Sequence, residues 1–194
     1  MLARLAKPWR LQNMAIWQFR LVLIPEQELL RKYEVLPLAI PMELAEDFPW
    51  WSGAQPSTGL EQQIDGILPR MDSWSTCMRM WGHKHGDDAY VCYGDESKNT
   101  IEEIAFRIDA RRISADFVRH ICILARRLAC VLMTSDYEIL APDESMVLTA
   151  IDHSTSRKFV ADPVATLQSL DHAKLEERAN YLMKEMKKEP PTTE

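Results

Sequence analysis

The sequence predicts an α+β fold: an antiparallel or mixed sheet, helices packed mainly on one face, and a helix at the C-terminal end. Three observations carry this expectation. First, Ile104, Phe106 and Ile108 alternate with Ala105, Arg107 and Asp109, the period of two of a strand with one apolar and one wetter face. Second, the period changes after Ser114, where Phe117, Ile121, Leu124 and Leu128 follow helical spacing. Third, residues 15–24 are apolar at nearly every position, as a strand covered on both sides near a sheet centre would be.

Taken in order, residues 1–13 carry Arg4, Lys7 and Arg10 with little pattern, and Met14 offers a second translation start. This opening is expected to be a loose basic arm or a start-site artefact, residues 14–187 one α+β domain, and residues 188–194 a disordered tail. After the strand at 15–24, Pro25 opens a short helix through Leu29, Leu30 and Tyr33. Residues 35–57 hold Pro37, Pro41, Pro49 and Pro56 and read as irregular. Thr58-Gly59-Leu60-Glu61 has the letters of a capping box, with Leu60, Ile64, Ile67 and Leu68 forming the stripe behind it. Met78, Met80 and Trp81 suggest a strand ending at Gly82, and the loop to Asp88 links it to a strand at Tyr90–Tyr93. The polar run from Asp95 to Thr100 then closes an antiparallel hairpin onto the 104–108 strand.

Beyond the hairpin, Ser114 suits a helix cap, Asp116 the first turn, and Arg126 and Arg127 the last. Val118, Cys122, Ala125 and Ala129 widen the apolar stripe to the breadth of a helix lying on a sheet. Cys130–Met133 reads as a buried strand, and Ser135-Asp136 turns it into Tyr137–Leu140. Asp143 starts a helix with Val147 and Ile151. Asp162-Pro163 is a second start, for a helix whose stripe runs through Val164, Leu167, Leu170, Leu175, Ala179, Leu182 and Met186.

Composition narrows the function classes. A formal charge of -6 in 194 residues disfavours general nucleic-acid binding, which needs basic surface to neutralise phosphate. Cys77, Cys92, Cys122 and Cys130 form no C-x-x-C pair and suit small buried hydrophobes in a reducing compartment. No apolar run reaches the roughly 20 residues of a membrane helix. The best candidate, 15–25, contains Gln18 and Arg20 and lacks a signal-peptide cleavage site.

Chemistry-bearing clusters are few. His83, His85 and Asp87, with Asp88 beside them, could ligate zinc and activate a bound water. A polar hairpin loop rich in Gly and Asp accounts for the same letters. Asp152-His153-Ser154 is no triad by sequence, because adjacent helical residues point apart. Gly-x-Ser-x-Gly, Gly-x-Gly-x-x-Gly and Walker-type motifs are absent. Trp50 and Trp51, beside Glu46 and Asp47 in a Pro-rich loop, are the candidate interface anchors, the alternative being indoles tucked under the loop to close the core. Asp87, Asp88, Asp95 and Glu96, followed by Glu102 and Glu103, would make an acidic face if they cluster in space.

Two resemblances follow from these residues. His83-x-His85-x-Asp87-Asp88 resembles the H-x-H-x-D-H motif of the metallo-β-lactamase fold, with Asp88 where that family has its last histidine. Trp17-Gln-Phe, Trp81-Gly82, Arg107-Ile-Asp109-Ala-Arg111, the Cys130 strand and Ser156 to Pro163 together resemble a group of bacterial proteins without an assigned activity. That likeness implies a bacterial, cytoplasmic setting. In type rather than motif, the chain is similar to the immunity proteins of toxin–immunity systems. The expectation is therefore a non-enzymatic, cofactor-free protein-binding protein that occludes a toxin, possessing no nucleic-acid or membrane partner. The alternatives are a metal-dependent hydrolase using His83, His85 and Asp87, and an adaptor of a secretion or phage-derived system.

Overall fold

Strand β1 (Gln18–Pro25) pairs with a later strand on each side, and the sheet is assembled around it. The computed structural model describes residues 15–56, 59–83, 85–95, 97 and 100–169. After β1 come helices α1 (Glu26–Tyr33), α2 (Met42–Asp47) and α3 (Leu60–Asp65), then strands β2 (Arg70–Met71), β3 (Met78–Gly82), β4 (Asp88–Tyr93) and β5 (Ile101–Asp109). Helix α4 (Ala115–Arg127), strands β6 (Cys130–Thr134) and β7 (Ile139–Leu140), and helices α5 (Glu144–His153), α6 (Thr155–Ala161) and α7 (Pro163–Ser169) follow. The fold is α+β, and the seven strands lie in the order β2-β3-β4-β5-β1-β6-β7. Every pairing between these strands is antiparallel, which settles the antiparallel-or-mixed alternative.

Register assigns the two faces, because residues opposite each other in an antiparallel pair share a side. Leu21 faces Phe106 and Phe106 faces Ala89, while Leu23 faces Leu132 and Val91 faces Ile104. This apolar face receives α4, where the Phe117 ring meets Phe106 edge-on at 6.1 Å between centroids. Burying each large side chain here contributes about 1.5–3 kcal/mol. The opposite face alternates in character along its width. Val22, Ile24, Ala105, Val131 and Met133 are apolar, whereas Gln18, Arg20, Asp88, Tyr90, Glu103, Arg107 and Asp109 are polar or charged. One continuous hydrophobic cluster joins Phe19 on β1 to Ile151 on α5.

Local chemistry explains the helix ends. The Ser114 hydroxyl accepts from the Phe117 amide, and Asp143 accepts from Ser145 and Met146, as their cap positions lead one to expect. Ser154 caps α6 by accepting from Arg157, so the chain between Asp143 and Asp162 is two helices rather than one. The capping-box expectation changes: Thr58 lies outside the described residues, and α3 starts after Gly59 (φ 101°) with no side-chain cap. Glu61 instead accepts from the Tyr93 hydroxyl and pairs with Arg70. Helix α7 starts at Pro163 with Ala165 donating to Asp162. There Thr166 is buried, while Val164 and Leu167 of the expected stripe are 65% and 50% exposed. The rest of that stripe, Leu170 to Met186, and the proposed arm at 1–13 and tail at 188–194 lie outside the described residues.

The cysteines behave as apolar side chains. Cys92, Cys122 and Cys130 are buried and Cys77 is half-buried, all as free thiols. Burial pushes the Cys122 thiol up to about 11 and the Cys130 thiol up to about 12. Iodoacetamide at neutral pH should therefore label Cys77 first and leave Cys122 and Cys130 untouched until denaturant is added. Peptide mass spectrometry reads this directly, and early labelling of Cys122 or Cys130 would show that the α4–β6 packing opens readily.

Candidate functional site

The polar half of the sheet is internally wired. Arg20 on β1 donates from Nε to the Tyr90 hydroxyl at 3.0 Å and from Nη2 to Glu103 at 2.7 Å. The Tyr90 hydroxyl in turn donates to Glu103 at 2.8 Å. Arg107 donates to Asp88 at 2.6 Å and lies over the Tyr90 ring, and Gln18 donates to the other Asp88 oxygen. Arg20 and Glu103 side chains are only 14% and 7% exposed. Burial alone would lower the Arg20 pKa, but the Glu103 carboxylate and Tyr90 hold it above its ordinary value. Burial raises Tyr90, and it raises Asp88 against the opposing hydrogen bond from Arg107. Each charge has an opposite charge in contact, so the row is a satisfied ion-pair network within the fold.

The His83 loop is built as a hairpin turn. Gly82 sits at φ 134°, and a Cβ there would come within 2.6 Å of the Asp87 carbonyl oxygen, so this corner requires glycine. The amides of His85 and Gly86 both donate to the His83 carbonyl. Asp87 accepts from the Asp109 amide at 2.8 Å, and Arg111 donates to the His85 carbonyl. His83 and His85 are exposed, while Asp88 turns inward to Arg107. Among the described residues no three His, Cys, Asp or Glu side chains gather to hold a metal ion. The same letters build the β3–β4 turn. Asp152, His153 and Ser154 also part company. Asp152 lies 3.9 Å from Arg157, His153 Nδ1 contacts the Thr149 carbonyl oxygen, and Ser154 caps α6.

Trp50 and Trp51 are not on the surface; they are 4% and 2% exposed and belong to the core. They lie over the apolar half of the second sheet face, beside Arg20, Val22, Glu103 and Met133. The space left among these groups is about the size of one water molecule. The Trp50 indole donates to the Ala45 carbonyl and its ring packs 4.5 Å from Phe48. Gln55 ties the segment down, exchanging two hydrogen bonds with the Ile101 backbone. Interface anchoring by exposed indoles is thereby corrected: α2 and its tryptophans cover the sheet. Glu46 and Asp47 end α2.

The expected acidic face is dispersed. Asp87 and Asp88 stand at one end of β4 and Asp95 beyond the other, about 20 Å apart at a strand's rise per residue. Glu96 lies outside the described residues. Asp88 and Glu103 are engaged with arginines.

A different surface stands out, one that sequence reading passed over. Between α1 and α2 the chain exposes Val35 at 69%, Leu36 at 40% and Leu38 at 89%, next to Leu30 at 38%. Residues 35–42, Val-Leu-Pro-Leu-Ala-Ile-Pro-Met, contain no ionisable side chain in a chain that is 27% charged. That contrast is present in the sequence itself, beneath the prolines that mark the stretch as loop. The segment is held at the sheet edge: the Ile139 amide donates to the Leu38 carbonyl at 2.8 Å and the Ile40 amide to the Tyr137 carbonyl at 3.1 Å. These bonds form a bridge between Ala39 and Glu138, outside β7.

No protein-family model, curated protein or solved structure matches this chain. No described helix is long and apolar enough to cross a membrane.

The ion-pair network makes a quantitative demand. Arg20→Ala removes the guanidinium from a buried carboxylate and should lower the unfolding free energy by about 3–5 kcal/mol in a urea titration. Replacing both partners with methionine should cost less than Arg20→Ala alone. Equal losses would assign the effect to packing rather than to an uncompensated charge.

Proposed function

We propose that this chain is a protein-binding protein. The observation that carries the reading is the exposed apolar run of Val35, Leu36 and Leu38 beside Leu30. Monomeric surfaces scatter single apolar side chains, whereas consecutive ones held on a sheet edge characterise recognition surfaces. The specific form we carry forward is an immunity-type inhibitor of a bacterial toxin, acting in the cytoplasm by covering the toxin's working surface. The net charge of -6 supports it, since an acidic chain attracts a basic partner over the Debye length.

Capture of C-terminally tagged protein from its native cells, followed by mass spectrometry, should return one stoichiometric protein partner. The variant Val35→Asp with Leu38→Asp should retain the circular dichroism and melting point of the parent and bind that partner at least about ten-fold more weakly. A partner that inhibits growth when expressed alone and is neutralised by this chain would support the toxin form. Native cells that grow under all conditions tested and yield no stoichiometric partner would count against the protein-binding reading itself.

A further inference from the structure

The edge carrying the apolar run also restricts how a partner can engage it. The Leu38 carbonyl and the Ile40 amide bond to the 137–139 segment, so Ala39 between them turns its own backbone groups outward, while the Pro41 carbonyl is taken by the first amides of α2. Pro37 and Pro41 have no amide hydrogen, which leaves Ala39 with the one N–H on that side of residues 37–41. An incoming strand would find a single donor where a ladder needs several. Docking must therefore proceed through side chains.

Three carboxylates border the run. Glu34 ends α1, Glu138 stands opposite Ala39 in the bridge, and Asp136 lies in the turn leading to it. All three are exposed, and none makes an ion pair among the described residues. The neighbouring cations on α1 are already engaged: Arg31 bonds Glu28 at 2.7 Å, and the Lys32 ammonium sits 4.8 Å from the Phe48 ring centroid. An apolar centre bordered by three carboxylates that are unpaired among the described residues is complementary to an apolar segment flanked by lysines or arginines.

Resting on the protein-binding reading above, we infer that Leu30, Val35, Leu36 and Leu38, rimmed by Glu34, Asp136 and Glu138, form a docking surface for a cationic amphipathic helix of a partner protein. The helix lays its apolar stripe on the leucines and brings its basic flanks to the carboxylates. A second copy of this acidic chain is the disfavoured occupant, since it would bring the same three carboxylates to the same place.

The probe is a synthetic Leu/Lys amphipathic peptide of about 14 residues, roughly four helical turns, with a matched Leu/Glu peptide as control. Fluorescence anisotropy should show the Leu/Lys peptide binding the full chain and the control binding at least about ten-fold more weakly. Affinity should fall as salt rises from about 0.05 to about 0.5 M. Leu38→Asp and the triple change Glu34→Lys, Asp136→Lys and Glu138→Lys should each weaken binding by about ten-fold, with unchanged circular dichroism. The sign for Leu38→Asp is decisive, because unspecific attraction to an acidic chain would strengthen when a negative charge is added. Equal or tighter binding by Leu38→Asp would overturn the proposal. So would a concentration-dependent dimer, seen by sedimentation, that Leu38→Asp breaks, for the occupant would then be a second copy. The two readings fail separately. A captured partner that binds Leu38→Asp as tightly as the parent would refute this surface and leave protein binding standing. A complete peptide profile without any cellular partner would uphold the surface chemistry and count against the native protein-binding role.

Discussion

The structure depends on β1 being covered from both sides. Its residues alternate between two faces that are both buried, and its backbone is paired on both edges, to β5 and β6. One face asks for an apolar layer, which α4 supplies through Phe117 over Phe106. The other asks for something harder, because Arg20 and Arg107 are opposite one another on it. Two cations placed side by side in a low-dielectric setting repel unless each has its own anion. Glu103 answers Arg20 and Asp88 answers Arg107, and the Tyr90 hydroxyl and ring join the two pairs. The α2–Trp51 segment then closes the apolar half of that face.

That arrangement decides what the conspicuous residues are available to do. Asp88, read by itself, is an acidic surface residue or a metal ligand; in the fold it is the counter-ion of Arg107. Trp51, read by itself, is an anchor; in the fold it is a cover. Residues used to stabilise the sheet are withdrawn from recognition, and the exposed run at 35–42 has little chemical character of its own, being uncharged and punctuated by Pro37 and Pro41. An absence of charge is an unusual clue, and it acquires meaning only beside the carboxylates of Glu34, Asp136 and Glu138.

Strand and helix types were legible wherever periodicity was long. The 104–108 alternation, the Phe117–Leu128 spacing and the two-sided burial of residues 18–24 each map onto an observed element. The short elements β2, α2 and α6 were not legible, since they are shorter than one full pattern repeat or are set by a single cap. The site was less readable than the fold. Acidity along the chain gave no warning that Asp87 and Asp95 would be separated by the length of β4. Nor could local letters show that Gln55 would clasp Ile101 across 46 positions and hold two tryptophans inward. Exposure is a property of tertiary contacts, and short-range pattern does not encode it.

The pairing scheme also has a consequence in time. The β4–β5 hairpin is local, but β1 waits for partners far down the chain, ending with β6 at Thr134. Roughly 109 residues separate Pro25 from Thr134, which at about 5–20 residues per second is some 5–20 s of ribosomal synthesis. Until β5 emerges β1 is an apolar strand with two open edges, and one edge stays open until β6 follows. A nascent chain of this design is at its most vulnerable to misassociation before β1 is enclosed, and it becomes safe only late, when β6 emerges.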